Sequence, residues 1–275
     1  MGGVHIQLTG NFYIAISNHL KENMKKLFLL AFLIIAGLLC HAQSQPTRII
    51  CINGGEFGKP FMRYIIALTK KSNPKICYIP TASADNPYAI NGWYDLCSDL
   101  PIRPYVMRVF INSSPEQQTF EETLLSMDAI VVGGGSTLNM MAIWHAQGID
   151  TVLRKAYNKG IVLSGGSAGS LAWFTGGTTD SRPKELSIVE CLGFIHASHC
   201  PHYHSNAERK PLYEKLILEG KLLPGYACDD HAGMLFENEK YIRSFAADTS
   251  SHTYYVSKVA GKIKEQELPI AEILK

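Results

Sequence analysis

The chain carries little charge for its length. Charged residues make up 18% of its 275 positions, and Lys plus Arg exceed Asp plus Glu by only 26 to 24. No long basic run follows the N-terminus, so nothing asks for nucleic acid. No C-x-x-C pair is present, and the cysteine spacing gives no small-domain disulfide framework. Internal repeats and low-complexity tracts are absent too. The apolar run Leu27 to Leu39 has 13 residues, short of the ~20 a membrane helix needs. What is there is apolar: 46% of the chain is hydrophobic, which suits one globular domain with a large core.

The first part of the chain reads as a targeting segment. Met24-Lys25-Lys26 is a short basic region, Leu27 to Leu39 is apolar, and Cys40-His41-Ala42 fits a small-residue cleavage site before Gln43. Residues 1–23 are read as an upstream extension, 24–42 as a signal peptide, and 47–275 as a single domain. The expected location is secreted or periplasmic, with no stable membrane anchor after cleavage. Export would permit disulfides. Yet Cys51, Cys77 and Cys228 sit in apolar strand-like runs, where buried free thiols are at least as reasonable.

Strand-like and helix-like segments then alternate. Arg48 to Asn53, Lys75 to Pro80, Asp128 to Val132 and Ile161 to Leu163 are apolar strand candidates. Helical patterns cover Lys59 to Lys71, Tyr88 to Leu100, Phe120 to Met127 and Leu138 to Asn158. This βαβ series predicts a parallel sheet with helices on both faces. Ligands of such sheets bind at the carboxyl ends of the strands, where both glycine clusters (133–135 and 165–169) fall. After Leu222, short strands with tight turns predict antiparallel strands at an edge of the same sheet.

Three groups of residues could carry chemistry. Gly165-Gly166-Ser167-Ala168-Gly169 follows a buried-strand run and reads as a G-x-S-x-G nucleophile elbow. That turn lifts a serine hydroxyl above the sheet, and the N–H of Ala168 can hold an oxyanion. Gly133-Gly134-Gly135-Ser136-Thr137 ends a strand and opens a helix. It could supply the second oxyanion amide. Four histidines crowd His196 to His204. His202 could be a general base; His202 and His204, with period two on one strand, could instead bind a metal with His199, Cys200 or an aspartate. Asp229-Asp230 offers an orienting acid, and since neighbours on a strand face opposite ways, only one of the two should serve. An α/β-hydrolase esterase is disfavoured, because the histidine segment precedes the aspartates here.

These motifs, in this order, resemble peptidase E (aspartyl dipeptidase) and its relative cyanophycinase. Val131 to Thr137 is similar to the family's V-G-G-G-N-T turn, residues 165–169 to its G-x-S-A-G elbow, and Pro201-His202-Tyr203 to its P-H-F/Y segment. Asp229-Asp230 falls where the family supplies its acid, a glutamate there. The resemblance implies a class I glutamine-amidotransferase-like (flavodoxin-like) α/β fold, with a mostly parallel sheet, helices on both faces and antiparallel edge strands near the C-terminus. It implies Ser167 as nucleophile, His202 as base, Asp230 as acid (Asp229 the fallback), and the Gly135 and Ala168 amides as oxyanion hole. The substrate would be a small peptide, such as a dipeptide with N-terminal aspartate, cut without cofactor or metal. Gly176-Gly177 stands where the family has an arginine before its T-T pair. Arg182 and Arg209 are the candidates to replace that cation. A metal-dependent hydrolase on His199, His202 and His204, or a non-catalytic peptide-binding protein, are the alternatives; a homodimer is left open.

Overall fold

A computed structural model describes residues 20–30, 46–55, 57–110 and 118–275. Residues 20–30 are an exposed helix. Among the described residues no helix is long and apolar enough to cross a membrane. The apolar run beyond Leu30 and the expected cleavage site lie outside the described residues.

Pro46–Lys275 form one compact unit. Its first sheet has eight strands in the order β14-β11-β10-β1-β5-β4-β2-β3. The parallel part is β3 (Arg103–Val106), β2 (Lys75–Ile79), β4 (Ala129–Val132), β5 (Val162–Gly166) and β1 (Ile49–Asn53). Within them residues 49–52, 76–79 and Ala129–Val132 are apolar and buried because both faces are covered, whereas the edge strand β3 is partly exposed. In β1, Ile50 and Ile52 enter one core with Trp144, Leu153 and Trp173. Ile49 and Cys51 enter the other, with Phe61, Met62 and Trp93. Helix Lys59–Thr69 lies on that second core, and Thr137–Gln147 with Ile149–Asn158 on the first.

Two expectations change. The segment Leu138 to Asn158 is not one helix: Gly148, at φ 71°, ends the first and opens the second. Such a left-handed turn suits a residue without Cβ. The C-terminal strands also divide. β10 (Ala232–Glu237), β11 (Lys240–Ala246) and β14 (Ile270–Ile273) do extend the first sheet beside β1. However, β9 (Gly225–Cys228), β12 (Thr253–Val259) and β13 (Lys262–Leu268) join β6 (Phe174–Arg182), β7 (Glu185–Glu190) and β8 (Ile195–Cys200) in a second, six-stranded sheet. Strands β8 and β9 are parallel neighbours there, with Cys200 opposite Ala227. The chain segments just after them therefore emerge side by side.

The six described cysteines are free thiols. All but Cys191 are buried.

Candidate active site

The turn around Ser167 is built by glycines in contact. A Cβ on Gly165 would lie 2.1 Å from the Gly169 carbonyl oxygen, and one on Gly169 2.1 Å from that of Val132. The elbow closes only because both lack side chains. Ser167 itself sits at φ 54°, ψ −120°, strained backbone for a residue with a Cβ. Its carbonyl accepts the Ser170 hydroxyl at 2.7 Å, and its N–H donates to the Asn53 carbonyl at 3.3 Å. Thus β1 and the short helix Ala168–Leu171 hold the turn from both sides.

His202 follows the end of β8, in a turn rather than on a strand, at φ 55°. The next residue anchors it: Tyr203 is fully buried, its N–H donates to the Cys228 carbonyl at 3.0 Å, and its hydroxyl donates to Glu265 at 2.6 Å. Asp230 follows β9. Its Oδ1 is 2.5 Å from His202 Nδ1, and His202 Nε2 is 2.8 Å from Ser167 Oγ. A carboxylate only accepts, so Nδ1 carries the ring proton and Nε2 accepts from the Ser167 hydroxyl. Burial raises the Asp230 carboxyl, but hydrogen bonds from Ser205 and His202 outweigh it and hold it below its ordinary value. The carboxylate form is the one this setting favours.

Asp229 does something else. Its Oδ1 pairs with His204 Nδ1 at 2.8 Å, and its Oδ2 accepts the His252 N–H at 2.9 Å. Glycines fix this arrangement as well. A Cβ on Gly54 would strike the Asp229 carbonyl at 2.2 Å, and one on Gly55 that of Asp230 at 2.8 Å.

The histidine cluster disperses. His199 is fully buried: Nδ1 donates to the Tyr226 carbonyl at 3.0 Å, and Nε2 lies 3.0 Å from the Ser170 hydroxyl, whose one hydrogen is shared between this nitrogen and the Ser167 carbonyl. Burial pulls its pKa down to about 3, so the ring is neutral. His199, His202 and His204 thus face three separate sets of partners. Among the described residues no group of three His, Cys, Asp or Glu is arranged to hold a metal.

Gly133–Gly135 lie beside the serine. Gly134's added Cβ would be 3.2 Å from Ser167 Cβ. Gly135 stands at φ 131°, with its added Cβ 2.3 Å from the Ala82 carbonyl, so no side chain fits. Ser136 caps the following helix by accepting the Asn139 N–H. Ala168 opens its helix, and the first amides of a helix have no partner within it. Gly134, the neighbour of Gly135, and Ala168, the residue after Ser167, thus both lie beside the serine.

A cavity of about 660 Å³ opens onto Ser167 and His202. Its floor includes Gly134 and Gly135, and its walls carry Phe57, Tyr78, Trp93 and Leu96. Sequence reasoning missed this wall. Arg182 and Arg209 do not line it. Arg182 is exposed at the end of β6, and Arg209 is buried against Asp180 (3.0 Å) and the Thr178 carbonyl.

Residues 50–244 match the family model of Peptidase family S51. The chain is 35% identical over 228 residues to the uncharacterized peptidase YgaJ of Bacillus subtilis (strain 168), covering 81% of this chain and 97% of that one. Among solved structures, a peptidase from an acI-B1 Actinobacterium aligns with TM-score 0.64 at 16% identity, over 84% of this chain and 98% of its own. A Listeria monocytogenes EGD-e protein provisionally described as a peptidase E aligns with TM-score 0.56 at 15% identity, over 74% and 100%. At those identities the structures speak for the fold alone.

Proposed function

The chain belongs to peptidase family S51, and from that premise we propose that it is a serine peptidase acting on small peptides, with Ser167 as nucleophile, His202 as base and Asp230 as orienting acid. The observation that carries this reading is the hydrogen-bond chain from Ser167 Oγ through His202 to Asp230 Oδ1, 2.8 and 2.5 Å long. His202 Nε2 takes the hydroxyl proton as Ser167 Oγ attacks the scissile carbonyl. Negative charge forms on the carbonyl oxygen, and the Gly135 and Ala168 amides receive it. His202, now charged and held by Asp230, gives its proton to the leaving amine. Water then attacks the acyl-enzyme by the same route. A cavity of about 660 Å³ supports a small substrate.

The test is Ser167→Ala against a panel of dipeptides and short peptides. Turnover should be lost with the fold intact, and wild-type Ser167 should be labelled by a serine-reactive phosphonate. Substantial hydrolysis by the variant refutes the mechanism. Binding without turnover or labelling turns the reading to a non-catalytic peptide-binding protein.

Export to a secreted or periplasmic location belongs to the same proposal, supported by Met24-Lys25-Lys26, the apolar run and Ala42 before Gln43. N-terminal sequencing of protein from its native host should begin at Gln43. An intact segment 24–42 on the native protein refutes cleavage there.

A further inference from the structure

Resting on the serine-peptidase reading, we propose that the cavity beside Ser167 takes an uncharged apolar or aromatic substrate side chain, not an aspartate. Ala89, Gly92, Trp93 and Leu96 all line the cavity. Their spacing of three, four and seven puts them on one face of helix Pro87–Cys97. Trp93 is held flat against Tyr78, with ring centroids 5.2 Å apart and planes 15° from parallel. Phe57 adds a third ring to the lining. Stacked aromatic surface of this kind favours apolar and aromatic partners.

Among the described residues no lysine or arginine lines the cavity. Apart from His202, no lining residue among the described residues is Lys, Arg, His, Asp or Glu. The two internal stretches outside the described residues, Glu56 and residues 111–117, contain no lysine, arginine or histidine in their sequence. Arg209 is already bound to Asp180. A substrate carboxylate here would leave water without gaining a counter-charge, which disfavours it strongly.

Gly92 gives the argument a handle. It lies within the helix, and a Cβ built on it meets nothing within 4 Å. A glycine inside a helix lowers that helix's own stability. In this place it leaves the cavity wall open where any other residue would fill it. Trp93 is only 3% exposed and belongs to the core, so removing it endangers the fold. Gly92→Arg does not: its Cβ meets open space, and it brings a cation to the wall.

The experiment measures kcat/KM of the full chain, Gly92→Arg and Ser167→Ala on Phe-Ala, Leu-Ala, Ala-Phe, Asp-Ala and Lys-Ala, with aminoalkyl phosphonates of Phe and Asp as labels. Circular dichroism checks that each variant is folded. Wild type should prefer a substrate bearing Phe or Leu over Asp-Ala by about tenfold or more. Gly92→Arg should move the Asp-to-Phe ratio about tenfold towards Asp. Preference for Asp-Ala, lost in Ser167→Ala, overturns this inference and leaves the peptidase reading standing. An unchanged ratio in folded Gly92→Arg overturns it also. Turnover that survives Ser167→Ala overturns the serine mechanism, while the ratio still reports on the cavity. No turnover and no labelling of wild type overturns both.

Discussion

Asp230→Asn, set against Asp229→Asn, asks which of two adjacent carboxylates serves the base. In the structure Asp230 Oδ1 meets His202 Nδ1 at 2.5 Å, whereas Asp229 Oδ1 meets His204 at 2.8 Å. Asparagine keeps the size of aspartate and removes its charge. If its amide nitrogen faces the ring, two donors oppose each other, and the imidazole must move its proton to Nε2. That nitrogen then points a hydrogen at Ser167 Oγ and cannot accept one. If the amide oxygen faces the ring, the tautomer survives, but the charge that stabilises the imidazolium is gone. The first outcome lowers kcat by about 10⁴-fold in another serine triad. Because the Asp230 side chain is 38% exposed, water can partly replace it, and we expect about 10³ to 10⁴-fold. At about 1.4 kcal/mol per decade this is about 4–5.5 kcal/mol of barrier. Asp229→Asn should lower kcat less than about tenfold, since His204 is outside the Ser167–His202 chain and half exposed. The assay is kcat on the best substrate of the panel, at neutral pH, with both variants shown folded. An Asp229→Asn loss that equals or exceeds that of Asp230→Asn refutes the assignment.

Other outcomes follow from the same geometry. The fold holds the Asp230 carboxyl below its ordinary value, so its ionised form adds stability that is complete above the unfolded carboxylate value of about 4. That contribution is lost as pH falls through the lower folded value. The stability gap between wild type and Asp230→Asn in denaturant melts should therefore be flat near neutrality and shrink below about pH 4; a gap that widens on acidification contradicts this. Gly135→Ala places a Cβ 2.3 Å from the Ala82 carbonyl at a φ of 131°. It should displace the oxyanion amide and lower kcat by about 10² to 10³-fold, and near-normal kcat would remove Gly135 from that role. Ser170→Ala removes the hydroxyl shared by the buried His199 Nε2 and the Ser167 carbonyl, and should cost about 1–3 kcal/mol in urea melts. A stability change under about 0.5 kcal/mol would mean the pair is dispensable.

The tight turn around Ser167 was legible because its constraint is local. Gly165 and Gly169 touch each other across four residues, and any sequence that makes that turn must write two glycines there. The parallel sheet was legible for a similar reason: strands covered on both faces carry continuous apolar runs, as residues 49–52 and Ala129–Val132 do. The second sheet was not. Alternation in a strand names a buried face but no partner, and β8 and β9 pair across the 24 residues 201–224, which include a helix. That pairing is what delivers His202 and Asp230 side by side. Without it the period-two rule could say that only one of Asp229 and Asp230 reaches the ring, not which. The choice rests on contacts with Gly54 and Gly55, from the other end of the domain.

The histidine cluster misled in the opposite way. His202 and His204 look like a strand-face pair only while β8 is imagined to continue, and the strand stops at Cys200. Beyond it the turn sends one ring to Asp230 and the other to Asp229. The cavity wall was harder still to read. Ala89, Trp93 and Leu96 have ordinary helical spacing, and an apolar helix face against a cavity has the same pattern as one against a core. Bond-making residues must be of particular types in rigid turns, so they leave motifs. A side-chain pocket needs only space, and space leaves almost no trace in a sequence. Gly92 is the exception: a residue that weakens its own helix where nothing crowds it, which makes sense only if something else occupies the room it leaves.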